Sequence, residues 1–298
     1  MTIVAPSRWT SSSLFNPLVP LHESRGNQSP VVCIPGAGAS VTSFLPFVTV
    51  LSGGWSVYGL QPRGLDLADP PFERVEAEAE CNLGAMEELV SDAPVHLVGH
   101  SHGGRVAFEM ALKLQQRRIS VASLTLIDSE PPDDFAELRH ETSSEEVLQE
   151  FVKALEGTFE TRLSIDPQIV PNENIQESCR ALHSTLIRKK CLPKQSTPDV
   201  LWGSLEVFKA VKSMKYRPSA RYASRLGLVL VPEPDVSPRD DDKRREDYAA
   251  KWLQHAEQLE SWCGPGRHHS ILRSPQVEAL ATWWRQWIQS SVPKKCET

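Results

Sequence analysis

Short β-branched apolar runs punctuate this chain. Residues 31–34 (Val-Val-Cys-Ile), 95–98 (Val-His-Leu-Val), 121–127 (Val-Ala-Ser-Leu-Thr-Leu-Ile) and 227–231 (Gly-Leu-Val-Leu-Val) each read as a buried strand. Between the first three, apolar positions return at helical spacing, from near Thr42 onward and again through 104–114. Strand and helix in alternation from about 30 to 132 predict parallel βαβ units: an α/β fold whose mostly parallel central sheet is flanked by helices. The alternation then stops. From about 133 to 221 the chain offers Glu-rich, Leu-bearing helical stretches and no strand, one of them at 144–155 with Ser144 as its candidate N-cap. Such a block is expected to be a helical lid inserted over the strand ends, or else a helical layer on one face. Residues 239–246 form a charged run that reads as a solvated turn and helix start. The stretch around Trp283, Trp284 and Trp287 reads as an amphipathic C-terminal helix whose rings pack into the core. Residues 1–29 are polar and turn-rich, a lead-in or linker before a single domain at 30–298.

Chemistry enters at Gly99-His100-Ser101-His102-Gly103, which fits G-x-S-x-G. It lies after a buried strand and before an apolar helix, the context in which that pattern lifts a strained serine to the top of a sheet. Ser101 is the candidate nucleophile. His100 and His102 flank it and are expected to point elsewhere, because neighbours on a tight turn diverge. A serine hydroxyl needs a base, an acid that orients the base, and donors for the oxyanion. The strand at 121–127 ends at Asp128, which could orient a histidine above the sheet. Glu233 and Asp235, after the late strand, are rival positions for that acid. In this architecture the base follows both, and His268 and His269 lie on a loop ahead of the last helix, whereas His96, His183 and His255 fall inside predicted strands or helices. Spacing alone does not choose between His268 and His269. For the oxyanion, the small residues after the first strand (Gly36, with Ala37 as the near alternative) and the N–H of His102 are the candidate donors. The same turn lacks the Lys-Ser/Thr ending of a phosphate-binding loop.

These pieces together resemble the α/β-hydrolase thioesterases, of the chain-terminating type, of nonribosomal peptide and polyketide synthetases. The shared features are residues 18–21, Val31-Val32-Cys33-Ile34-Pro35-Gly36-Ala37-Gly38, Tyr58-Gly59-Leu60-Gln61-Pro62-Arg63-Gly64, the serine turn, Leu126-Ile127-Asp128-Ser129 and Gly266-Arg267-His268-His269-Ser270-Ile271-Leu272, in family order over nearly the whole chain. The resemblance implies Asp128 as the acid. It selects His268, the first histidine of an H-x-x-(M/I)-L pattern, as the base. It further implies a thioester on the phosphopantetheine arm of an acyl or peptidyl carrier protein, or of an upstream carrier domain, as the substrate. Release would run through an acyl-serine, by hydrolysis or macrocyclisation. A stand-alone editing thioesterase, a general esterase and a silent binding module are the other readings, the last opposed by the intact Ser, Asp and His set.

Composition narrows the field further. The chain has 298 residues, 40% of them hydrophobic, and a net charge of −6, enough to bury a core and without the basic excess of a nucleic-acid binder. Six cysteines lie scattered without C-x-x-C spacing, which reads as reduced thiols. The first twenty residues carry charges, serines and prolines, not an apolar run, and no stretch has the length of a membrane span. The expectation is a cytoplasmic, monomeric domain. Neither metal-ligand spacing nor a dinucleotide fingerprint is present, so no cofactor or metal is expected.

Overall fold

The computed structural model describes residues 15–290 apart from 52, 133–142, 164–174 and 235. A seven-stranded sheet runs through it. The strands are β1 (Leu18–His22), β2 (Val31–Ile34), β3 (Val57–Leu60), β4 (Val95–His100), β5 (Val121–Ile127), β6 (Tyr222–Leu230) and β7 (Ala256–Cys263), in the spatial order β1-β3-β2-β4-β5-β6-β7. All neighbours are parallel except β1, which pairs antiparallel with β3. The helices are α1 (Leu45–Leu51), α2 (Val75–Ala85), α3 (Glu87–Asp92), α4 (His102–Gln116), α5 (Ser144–Phe159), α6 (Ile175–Arg188), α7 (Asp199–Ser213), α8 (Pro238–His255) and α9 (Gln276–Ser290).

The apolar runs become strands because both faces of a parallel sheet are covered, so every position must shed water. Alternate side chains serve opposite layers. Val32, Ile34, Leu97, Leu124, Leu126 and Leu228 pack with α2, α4 and Trp252 of α8. Val31, Cys33, Val98, Ile127 and Val229 pack with α1 and α9 on the other side. The tryptophans of α9 are core residues as expected: Trp284 and Trp287 are buried, and the Trp284 indole N–H donates to Thr125 Oγ1 at 3.1 Å.

Four features depart from the sequence reading, the first being β3 (Val57–Leu60), which is not among the four expected strands. Part of the 1–29 lead-in is sheet, since Leu18–His22 zips onto the β3 edge. The seventh strand, β7, was not anticipated. Glu257, Gln258 and Glu260 face solvent there, so the segment shows no apolar run, and it is recruited by pairing with β6. The α5 cap is Ser143, one residue earlier than Ser144. Its hydroxyl accepts from the Glu146 N–H, and the Glu146 carboxylate accepts from the Ser143 N–H, a reciprocal capping box.

Helices α5, α6 and α7, the region expected as a helical insertion, bury a cluster of their own around Phe151, Leu182 and Leu205. The Lys212 ammonium of α7 pairs with Glu150 of α5 at 2.6 Å. Where α7 meets the sheet, Ser204 donates its hydroxyl to the Gly38 carbonyl at 2.8 Å, on the loop that follows β2. No helix among the described residues is long and apolar enough to cross a membrane.

Candidate active site

Central strand β4 ends at His100, and the chain turns at Ser101 into α4. Ser101 has φ 56° and ψ −124°, a left-handed backbone that costs a non-glycine residue and is held by its surroundings. Its N–H donates to the Ile127 carbonyl at 2.8 Å, tying the turn to the end of β5. The flanking glycines make the turn possible by close approach. A Cβ on Gly99 would collide with the Gly103 carbonyl, and one on Gly103 with the carbonyls of Ile34 and Pro35.

Asp128 sits one residue past β5, with φ 45° and 7% exposure. Its N–H donates to the Val229 carbonyl at 2.7 Å, and its Oδ1 accepts from the Val231 N–H at 3.2 Å. These bonds aim Oδ2 across the strand ends at His268 Nδ1, 2.6 Å away. His268 Nε2 lies 3.1 Å from Ser101 Oγ. A continuous hydrogen-bonded line therefore runs from a buried carboxylate through an imidazole to the serine. Burial alone would raise the Asp128 carboxyl. The hydrogen bond and charge of His268, with the Val231 N–H, outweigh it and hold the group below its ordinary value. Asp128 is thus the carboxylate bonded to His268. Glu233 is exposed, and Asp235 lies outside the described residues.

His269 turns away from this line. Its ring stands nearly perpendicular to that of His268, at 87°, and packs where a Cβ on Gly157 of α5 would be. Burial, then the neighbouring His268, pushes it down to about 4. The two histidines beside the serine also point elsewhere, each to a definite partner. His102 Nε2 is 3.0 Å from Glu78 Oε2 on α2, and His100 Nε2 is 2.9 Å from the His268 carbonyl oxygen. Sequence reasoning assigned neither contact. Their partners stand 24 and 168 residues away, beyond the reach of any local pattern.

A cavity of about 200 Å³ opens over the serine. Ser101, His268, Ala37 and His102 line it, and Phe208 and Val211 of α7 add apolar lining. Arg105, Glu130, Glu233 and Arg244 are its charged lining residues. Arg105 and Arg244 are already held by main-chain carbonyls, Arg105 by Pro131 at 2.8 Å and Arg244 by Val231 at 2.7 Å. Gly36 does not line this cavity. It lies against the serine, where a Cβ would come within 3.1 Å of Ser101 Cβ, and lines an adjoining cleft with His102.

Residues 29–289 match the family model of the thioesterase domain. Indigoidine synthase of Streptomyces lavendulae is 34% identical over 119 residues, a match covering 40% of this chain and 9% of that protein. The chain accordingly spans only a small part of the curated relatives it matches. Among solved structures, holo-AB3403, a four-domain nonribosomal peptide synthetase bound to AMP and glycine, superimposes with a TM-score of 0.75 at 20% identity, covering 93% of this chain and 20% of that one. The type II thioesterase BorB from the borrelidin biosynthetic cluster superimposes with a TM-score of 0.63 at 19% identity, covering 93% of this chain and 100% of that one.

Proposed function

The chain belongs to the thioesterase domain family, and from that premise we propose that it releases a peptidyl or polyketide acyl chain from the phosphopantetheine thioester of a carrier protein. The observation that carries this reading is the line Asp128–His268–Ser101, opening on a cavity that α7 helps to line. In the proposed mechanism His268 Nε2 takes the Ser101 proton as Oγ attacks the thioester carbonyl. Asp128 keeps the proton of His268 on Nδ1 and stabilises the imidazolium that forms. The oxyanion is proposed to rest on the N–H of His102, which opens α4, and on that of Gly36 or Ala37. Of the two, Ala37 lines the cavity that holds Ser101, which favours it. As the C–S bond breaks, the thiol leaves with the proton from His268 and the acyl group remains on Oγ. Water, or an amine or hydroxyl of the acyl chain itself, then attacks with the same base and gives a free acid, or a lactam or lactone. The exclusion of water by α5–α7 would decide between these outcomes.

Two settings fit this chemistry. Relatives that are whole synthetases support a chain-terminating domain served by an upstream carrier. The likeness of fold to BorB, a type II thioesterase, keeps a stand-alone editing enzyme that clears carrier proteins as the second reading. Intact-protein mass spectrometry after incubation with an acyl-thioester mimic, beside Ser101→Ala, tests the shared step. An acyl adduct on the wild type that is absent from the variant supports it. No adduct from any thioester, with a fluorophosphonate still labelling Ser101, would move the substrate to another ester class.

A further inference from the structure

We propose that His100 is a positioning residue for His268, fixing through a ring N–H the main chain of the loop that carries the base. The inference rests on the serine–histidine chemistry proposed above, but not on the identity of the substrate.

His100 is the last residue of β4 and is 8% exposed. Its Nε2 lies 2.9 Å from the His268 carbonyl oxygen. A carbonyl only accepts, so the proton must sit on Nε2, and this bond fixes the tautomer. The two side-chain bonds of His268, to Asp128 and Ser101, orient its ring but leave open where its main chain sits relative to the serine turn. The His100 bond supplies that third point, and it does so from the residue covalently joined to Ser101. Nucleophile and base are thereby referenced to one another through a single buried ring.

Neighbours hem the ring in on two sides. The His268 ring lies on one side, with centroids 4.9 Å apart, and the loop after β2 closes another, where a Cβ on Gly36 would stand 3.4 Å from His100 Nδ1. Burial, then the charges of His268 and His269, pushes His100 down to about 3. At neutral pH it therefore donates as a neutral imidazole, without setting a second positive charge beside the imidazolium that His268 becomes during acyl transfer.

The test uses the rate at which a fluorophosphonate labels Ser101 in the full chain, followed by intact mass, because that reaction runs on the serine, its base and the oxyanion donors and needs no carrier or thioester. His100→Leu removes the donor; His100→Gln keeps an amide N–H at similar reach. The expected result is labelling about 10- to 100-fold slower for His100→Leu, with the rate restored to within about threefold in His100→Gln. Should His100→Leu fail to fold, His100→Asn takes its place, since its amide stops short of the carbonyl and slow labelling is again expected. Wild-type labelling in a folded Leu or Asn variant would overturn the proposal. So would a folded Gln variant as slow as the others, for then the ring shape and not the donor matters. A wild type that is never labelled overturns the serine reading and this proposal with it. A labelled wild type that cleaves no thioester overturns only the thioesterase reading, and the order of rates still decides the role of His100.

Discussion

Mild acid should destabilise this protein well before its carboxylates titrate, and two buried histidines set the size of the effect. His96, on β4, is 8% exposed, bonded to Ser123 Oγ at 2.8 Å and edged by the Trp284 ring; burial pushes it down to about 4. His100 is pushed to about 3, first by burial. Both groups have folded pKa values below the unfolded one, about 6.5. The unfolded chain therefore takes up protons first, and stability falls as pH falls from about 6.5 toward 4. Each such proton contributes about 1.4 kcal/mol per pH unit, so two histidines over two units cost about 5 kcal/mol between pH 6.5 and 4.5. That rivals the whole stability of a modest domain, about 5–15 kcal/mol. His269 acts in the same direction. Glu109 opposes it, because burial raises its carboxyl despite the hydrogen bond from Tyr216, so the folded state gains that proton ahead of the unfolded one. Urea unfolding at constant ionic strength across this range measures the slope. His100→Gln, which keeps the donor but cannot ionise, should reduce the loss by about 2.5 kcal/mol. Stability that stays flat from pH 6.5 to 4.5, or a wild-type slope in His100→Gln, would refute the reasoning.

Three further outcomes can be checked on single variants. Asp128→Asn should lower kcat about 10³- to 10⁴-fold on an acyl thioester, because the amide no longer holds His268 in the reactive tautomer; a loss under tenfold would shift the acid elsewhere. His268→Ala should be comparably severe, whereas His269→Ala should retain most activity, since that ring faces α5; steady-state kinetics on the pair would expose a reversed assignment. Gly103→Ala should destabilise by about 1–3 kcal/mol and lower Tm, because its methyl group would meet the carbonyls of Ile34 and Pro35; an unchanged melting curve would contradict the close approach.

Much of the architecture was legible before any coordinates. Runs such as 31–34 and 121–127 are short, rich in β-branched residues and largely apolar, the pattern of a strand covered on both faces. The serine turn was legible because a strand, two small residues and a helix start are all local. β7 was not, because an edge strand with Glu257, Gln258 and Glu260 in solvent carries no apolar signature and exists only through its pairing with β6. Nor was β1, a short strand made by the β3 edge it meets.

The site divides along the same line. By itself the sequence determined the serine turn, the strand-end aspartate, the pair of late histidines and their chain order, because each is written in periodicity or turn chemistry over a few residues. Local patterns left the choice of late histidine and carboxylate open and the family resemblance pointed to His268 and Asp128; the tertiary structure is what sets His268 Nε2 beside Ser101 and Asp128 beside His268, lines the cavity with Ala37 and not Gly36, and turns His100 to the His268 carbonyl. Those contacts join residues up to 168 positions apart. They depend on strand order, on the depth at which each loop leaves the sheet and on the direction each ring takes. A linear pattern carries none of these, because they arise when separate loops are packed against one another.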